Sequence, residues 1–190
     1  MSKLKKNHSA VAVFLDRDGT LIEDRGYLRS PDEVVFFDYT VETLRRLQQH
    51  FSLFIVTSQS GIAKGLQTPE EVNTVNAFVA DFLRGHGVNI LKTYTCPHVR
   101  EDNCRCIKPK PYLAQLAAEE FGIDLERSYM IGDHPHDAEF GICFGGTGLF
   151  VLTGHGTKHR DELDEHIPEF ADLKQAADWI LENYKEKENI

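Results

Sequence analysis

The sequence predicts an α/β fold: an open, doubly wound parallel sheet covered by helices on both faces, in three layers. Three observations carry that prediction. Short, nearly continuous apolar runs alternate with segments of helical periodicity. The runs lack polar alternation, which suits parallel strands buried on both faces. Polar residues able to do chemistry stand just past the end of several runs, where ligands bind in such sheets.

The runs fall at residues 11–16, 53–57, 91–96, 128–133 and 149–153. Between them, residues 40–50 place Val41, Leu44 and Leu47 on one helical face. Thr68-Pro69-Glu70-Glu71 reads as a helix start, with Thr68 as N-cap, Pro69 in the first turn and Glu71 closing a capping box. Val72, Val75, Phe78, Val79 and Phe82 form that helix's apolar stripe, and Gly85 or Gly87 ends it. Residues 111–121 carry Leu113, Leu116, Ala117 and Phe121 as a further stripe. A last helix over residues 171–184 carries Leu173, Ala177, Ile180 and Leu181, with Trp179 packing it down. Residues 154–168 are polar and rich in histidine and charge, and are expected as a flexible loop or surface excursion.

The 190 residues suit one compact domain and are too few for two ordinary ones, so a single domain over residues 1–190 is expected. The apolar runs are far shorter than the roughly 20 residues of a membrane-spanning helix. The basic start at residues 1–6 is not followed by an apolar stretch of signal-peptide length. A cytoplasmic monomer is expected. The net charge of −9 argues against a nucleic-acid partner. A phosphorylated small molecule would need a metal or a few placed cations to meet it.

The chemistry begins at Asp16-Arg17-Asp18-Gly19-Thr20. Carboxylates after a buried strand are costly unless a positive group joins them. A hard divalent cation such as magnesium suits oxygen ligands, and Asp133, ending another run, can reach the same sheet edge. The bland alternative is a solvated acidic turn or a helix cap. Three of the four cysteines, Cys96, Cys104 and Cys106, lie within eleven residues and join His98. Three thiolates and one imidazole complete a tetrahedral zinc site with no open position, hence a structural one. Reduced thiols or a Cys104/Cys106 redox pair are the alternatives. Cys143 stands apart in an apolar setting and is expected as a small buried hydrophobe.

D-x-D-G-T at Asp16–Thr20, Thr57 after the second run, Lys108, and G-D-x-x-x-D at Gly132–Asp137 occur in an order and spacing that resemble the haloacid dehalogenase superfamily. The resemblance covers residues 11–154 and implies an aspartyl-phosphate phosphatase. Asp16 would be the nucleophile and Asp18 the acid and base. Asp16, Asp133 and the Asp18 carbonyl would hold magnesium, with Asp137 behind them. Thr57 and Lys108 would hold the phosphate. Only this resemblance gives Lys108 a role; its spacing alone suggests a solvated surface lysine.

The zinc loop at residues 96–106, Gly26-Tyr27, S-G-I-A-K-G at residues 60–65 and Lys108-Pro109 resemble the branch of that superfamily acting on heptose bisphosphate or histidinol phosphate, which lacks a large cap domain. Within that branch Gly26-Tyr27 and S-G-I-A-K-G resemble the heptose enzymes more, so a small phosphorylated sugar is the expected substrate, with histidinol phosphate or another small phosphate ester as the rival; a non-catalytic phosphate- or magnesium-binding module is a third reading, and the retained Asp18 argues against it. Arg17, Ser58, Gln59, Ser60, Ile107 and His134 are the expected substrate contacts. Three of them depart from the heptose pattern: Ser58 stands for Asn, Ile107 for Arg and His134 for Lys. Replacing Arg by Ile removes a bidentate phosphate clamp, and His134 would be either a partial replacement charge or a rim residue. His136, His155 and His159 are further residues that could reach the pocket.

Overall fold

The computed structural model describes residues 10–188, so the basic start at residues 1–6 lies outside the described residues. Six strands form one sheet: β1 (Ala12–Leu15), β2 (Ser52–Ser58), β3 (Ile90–Cys96), β4 (Tyr129–Gly132), β5 (Thr147–Val151) and β6 (Glu169–Phe170). Their order is β3-β2-β1-β4-β5-β6, and every pairing is parallel. The chain therefore winds outward from β1 in one direction, then returns to lay β4 on β1's other side.

Side chains alternate across the sheet and create two core layers. Val13 and Leu15 face one way, joining Ile55, Ile131 and the helices α1 (Thr40–Leu47), α2 (Pro69–Gly85) and α6 (Leu173–Glu188). Ala12 and Phe14 face the other way, towards α3 (Tyr112–Phe121) and α4 (Pro135–Cys143). The Phe14 ring stacks 5.3 Å from that of Phe54 and meets Phe140 edge-on at 6.3 Å. All four residues of β1 are buried, which is why this strand reads as an unbroken apolar run.

The predicted start of α2 is present in full. Thr68 Oγ1 accepts from Glu71 N–H at 3.1 Å, and Thr68 N–H donates to Glu71 Oε2 at 2.8 Å. The apolar stripe of α2 loses one member, because Phe78 is exposed beside Phe82 rather than buried under the helix. Cys143 is also exposed, contrary to expectation. It ends α4 on the outward face with Ile142, while Ala138, Phe140 and Gly141 take the inward one. The apolar pattern of the sequence does not mark α4. Its signals are Pro135 in the first turn and Asp137, whose carboxylate accepts from His134 N–H at 3.0 Å. Residues 154–168 are more regular than a flexible loop: they hold α5 (Gly156–His159) and a 3-10 turn at Arg160–Glu162. Among the described residues, no helix is long and apolar enough to cross a membrane.

Candidate active site

The strand order puts a topological switch between β1 and β4, and the crevice at their carboxyl ends is where such sheets bind ligands. Asp16 follows β1 there and Asp133 follows β4. Asp137 arrives from the first turn of α4. Carboxylate oxygens of Asp16, Asp133 and Asp137 lie within 4.8 Å of one another, and all three residues are buried.

Lys108 enters this cluster from below. Its ammonium donates to Asp16 Oδ1 at 2.6 Å and to the Val56 carbonyl at 3.1 Å, and pairs with Asp137 Oδ1. Only 7% of the residue is exposed, so the surface reading of its spacing is wrong. Sequence distance hid the reason: 92 residues separate Lys108 from Asp16.

One ammonium does not balance three carboxylates. Burial pushes the Asp16 carboxyl up to about 7, against the opposing pull of Lys108. Burial, reinforced by Asp16 and Asp137, pushes Asp133 up to about 9. Burial alone would lower Lys108; Asp137 and Asp16 instead hold it above its ordinary value. The surplus of buried negative charge is what a hard divalent cation offsets.

The backbone is shaped around these oxygens. Gly19 (φ +78°) and Gly154 (φ +53°) both lie against Asp133, and a Cβ on either would overlap its carboxylate. His155 N–H donates to Asp133 Oδ2 at 2.7 Å. The donor set and this close cradle fit a small oxygen-seeking ion such as magnesium.

The Asp18 side chain is not part of this carboxylate cluster. Its oxygens accept from Arg17 at 2.8–3.1 Å and from Gln59 Nε2 at 2.8 Å. Arg17 in turn donates to Asn76 Oδ1 at 2.6 Å, and Asn76 Nδ2 donates to Thr95 Oγ1 at 3.1 Å. Sequence reasoning missed Asn76, because nothing in the α2 stripe marks one polar residue as aimed at a strand end.

These bonds correct two expectations. Arg17 and Gln59 are buried and do not line the cavity; they grip Asp18 from beneath instead of facing a substrate. Thr57 is likewise buried, its hydroxyl accepting from Gln59 Nε2 at 2.8 Å.

A cavity of about 450 Å³ opens above Asp16. Asp18, Ser58, Ser60, Ile107 and His134 line it, together with His136 and His155. His159 does not, although its ring lies 4.5 Å from that of His134. Burial pushes the His134 imidazole down to about 4, so it is neutral near pH 7 and supplies no replacement charge. Asp24, Lys64, Val99, Arg100 and Glu101 also line the cavity and were not singled out individually. They come from loops, where no periodicity points to a face.

Beside the cavity, the thiols of Cys96, Cys104 and Cys106 and the His98 imidazole gather into one cage. Sulfur–sulfur separations are 3.3, 3.4 and 3.6 Å, and His98 Nδ1 lies 3.3 Å from Cys106 Sγ and 3.9 Å from Cys96 Sγ. Zinc bonded to sulfur at about 2.3 Å puts tetrahedral sulfurs roughly 3.8 Å apart. All the cysteines are free, so the cage suits a metal and contains no disulfide. Burial pushes the Cys96 thiol up, the opposite of what a bound cation would do.

A family profile described as haloacid dehalogenase-like hydrolase matches residues 22–145, and one described as HAD-hydrolase-like matches residues 105–186. The chain is 36% identical over 182 residues to a D-glycero-β-D-manno-heptose-1,7-bisphosphate 7-phosphatase of Yersinia pestis, covering 91% of this chain and 90% of that one. It is 34% identical over 171 residues to the enzyme of that name from Helicobacter pylori, covering 89% and 96%. In structure it is similar to the D,D-heptose 1,7-bisphosphate phosphatase of B. bronchiseptica, solved with magnesium and phosphate. The TM-score is 0.83 at 28% identity, covering 91% of this chain and 99% of that one.

Proposed function

The chain belongs to the haloacid dehalogenase-like hydrolases, and from that footing we propose that it removes the 7-phosphate of D-glycero-β-D-manno-heptose 1,7-bisphosphate. It is a phosphatase of the magnesium-dependent kind. The observation that carries the reaction is Asp16, buried at the switch of the sheet and paired with Lys108 below the open cavity. The substrate follows from the relatives' activity, spread over most of this chain.

Asp16 Oδ attacks phosphorus while the bond from phosphorus to the sugar's C7 oxygen breaks. Asp18 delivers its proton to that leaving oxygen. In the second half-reaction Asp18 takes a proton from water, the water oxygen bonds to phosphorus, and the acyl-phosphate bond to Asp16 breaks. Inorganic phosphate leaves, and both aspartates return to their starting state. Arg17 and Gln59 fix the Asp18 carboxylate for both proton transfers. Lys108 holds Asp16 in line and places positive charge where phosphoryl oxygens arrive. Magnesium, held by Asp16, Asp133 and the Asp18 carbonyl, would supply charge neutralisation to the phosphoryl group; Asp137 orients Lys108 behind them. The cage of Cys96, His98, Cys104 and Cys106 holds structural zinc and fixes the loop that leads into Lys108. Reduced thiols in such a cage suit a cytoplasmic enzyme, acting as a monomer.

The test is a turnover panel with magnesium: both anomers of heptose 1,7-bisphosphate, histidinol phosphate and an aryl phosphate, with Asp16→Asn as control. The β-anomer should have the highest kcat/KM, and Asp16→Asn should be inactive on all four. Preference for histidinol phosphate would overturn the substrate. Turnover surviving in Asp16→Asn would overturn the mechanism.

A further inference from the structure

We propose that Arg100 receives the phosphate that is not cleaved and so favours a bisphosphorylated over a singly phosphorylated sugar. The inference rests on the function proposed above. A second phosphate entering this cavity meets an acidic wall, since Asp24 and Glu101 join the aspartates of the site. It needs a cation that is not already engaged.

The other arginine and lysines of the site already have polar partners. Lys108 is held by Asp16 and Asp137, and Arg17 lies buried under Asp18. Lys64 donates to Tyr27 Oη at 2.8 Å and sits over that ring at 5.4 Å. Arg100 lines the cavity, is exposed, and has no ion-pair partner among the described residues. Its planar guanidinium can meet two phosphate oxygens at once, which an ammonium cannot.

The loop presents this side chain on a fixed backbone. His98 and Cys104, on either side of it, are both cage residues. Between them a 3-10 turn spans Arg100–Asp102, and Asp102 Oδ2 accepts from Val99 N–H at 3.0 Å. The turn ends at Asn103 in the left-handed region (φ +44°). Lys110 Nζ clamps that residue, donating to Asn103 Oδ1 at 2.5 Å, to its carbonyl at 3.0 Å and to the Cys104 carbonyl at 3.0 Å. A cation held this way loses less freedom on binding than one on a free loop. Glu101, beside it on the wall, suits sugar hydroxyls, which donate to a carboxylate. The loop therefore offers one group for the distal anion and one for the polyol between the phosphates.

The test compares wild type, Arg100→Ala and Arg100→Lys on heptose 1,7-bisphosphate and on heptose 7-phosphate. The readout is the ratio of the two kcat/KM values, which a partly unfolded sample does not change. Arg100→Ala should lower the ratio by about 10- to 100-fold, the cost of one charged hydrogen-bonded contact, and mainly through KM for the bisphosphate. Arg100→Lys should recover part of it. An unchanged ratio in Arg100→Ala overturns the proposal. A wild type inactive on both heptose compounds sinks the substrate reading instead. Fructose 1,6-bisphosphate and fructose 6-phosphate then decide on Arg100: an Arg100-dependent preference for the bisphosphate keeps the proposal, and its absence overturns it.

Discussion

Replacing Lys108 with Met removes the only ammonium from a buried cluster of three carboxylates while keeping most of the side-chain length. The wild-type ammonium touches Asp16 Oδ1 at 2.6 Å, pairs with Asp137 and donates to the Val56 carbonyl. Taking one partner from a buried ion pair costs about 3–5 kcal/mol, because the remaining charge is left without compensation. In a domain of this size about 1 kcal/mol moves the melting temperature by roughly 2–4 °C. The metal-free variant should therefore melt roughly 6–20 °C below metal-free wild type at pH 8. The gap should narrow at pH 5, where the carboxylates take up protons instead. Thermal melts followed by circular dichroism in chelator, at both pH values, measure it. Turnover of an aryl phosphate should fall by at least about 100-fold, as expected for loss of a group aimed at the developing charge. A Lys108→Met melt within 2 °C of wild type at pH 8, in chelator, would refute the reasoning: the cluster would then be solvated or differently arranged.

The metal-free wild type should lose stability as pH rises from about 4 to about 9. Its Asp16 and Asp133 carboxyls are raised to about 7 and about 9 from an ordinary 3.8. The folded state thus holds protons that the unfolded state has released, and stability falls as pH climbs through the folded values. Magnesium should raise the melting temperature more at pH 8 than at pH 5; a flat metal-free profile would count against the buried cluster. Removing zinc with a chelator, then restoring excess magnesium, should lower turnover and melting temperature together, since the cage fixes the loop two residues before Lys108. Full activity in protein shown by elemental analysis to lack zinc would exclude that link. Gly19→Ala should destabilise by about 1–2 kcal/mol for its left-handed backbone alone. It should also weaken magnesium binding, because the new Cβ meets the Asp133 carboxylate; calorimetric magnesium affinity equal to wild type would disprove the cradle.

Five of the six strands and the capped start of α2 are legible because they are local; β6, Glu169–Phe170, is too short to show as an apolar run. An apolar run without alternation, or Thr68 three residues before Glu71, fixes its own backbone whatever surrounds it. The zinc cage was legible too, since its four residues lie within eleven positions and a short loop can gather them. Lys108 had no such local mark. Its burial depends on β1 and α4 bringing Asp16 and Asp137 to the same place, and only the strand order decides that. Arg17 and Gln59 were assigned to the substrate because they flank reactive residues in sequence. In the fold both side chains bond to Asp18 instead, from the turns that follow β1 and β2. Cys143 failed for a related reason: apolar neighbours in sequence do not set which face of a helix meets the core. The sequence by itself marked five of the six strands, the helices α1, α2, α3 and α6, and the cluster of Cys96, His98, Cys104 and Cys106. Tertiary structure decided which charges are buried together and which cation is left facing the cavity, because both depend on contacts between residues far apart along the chain.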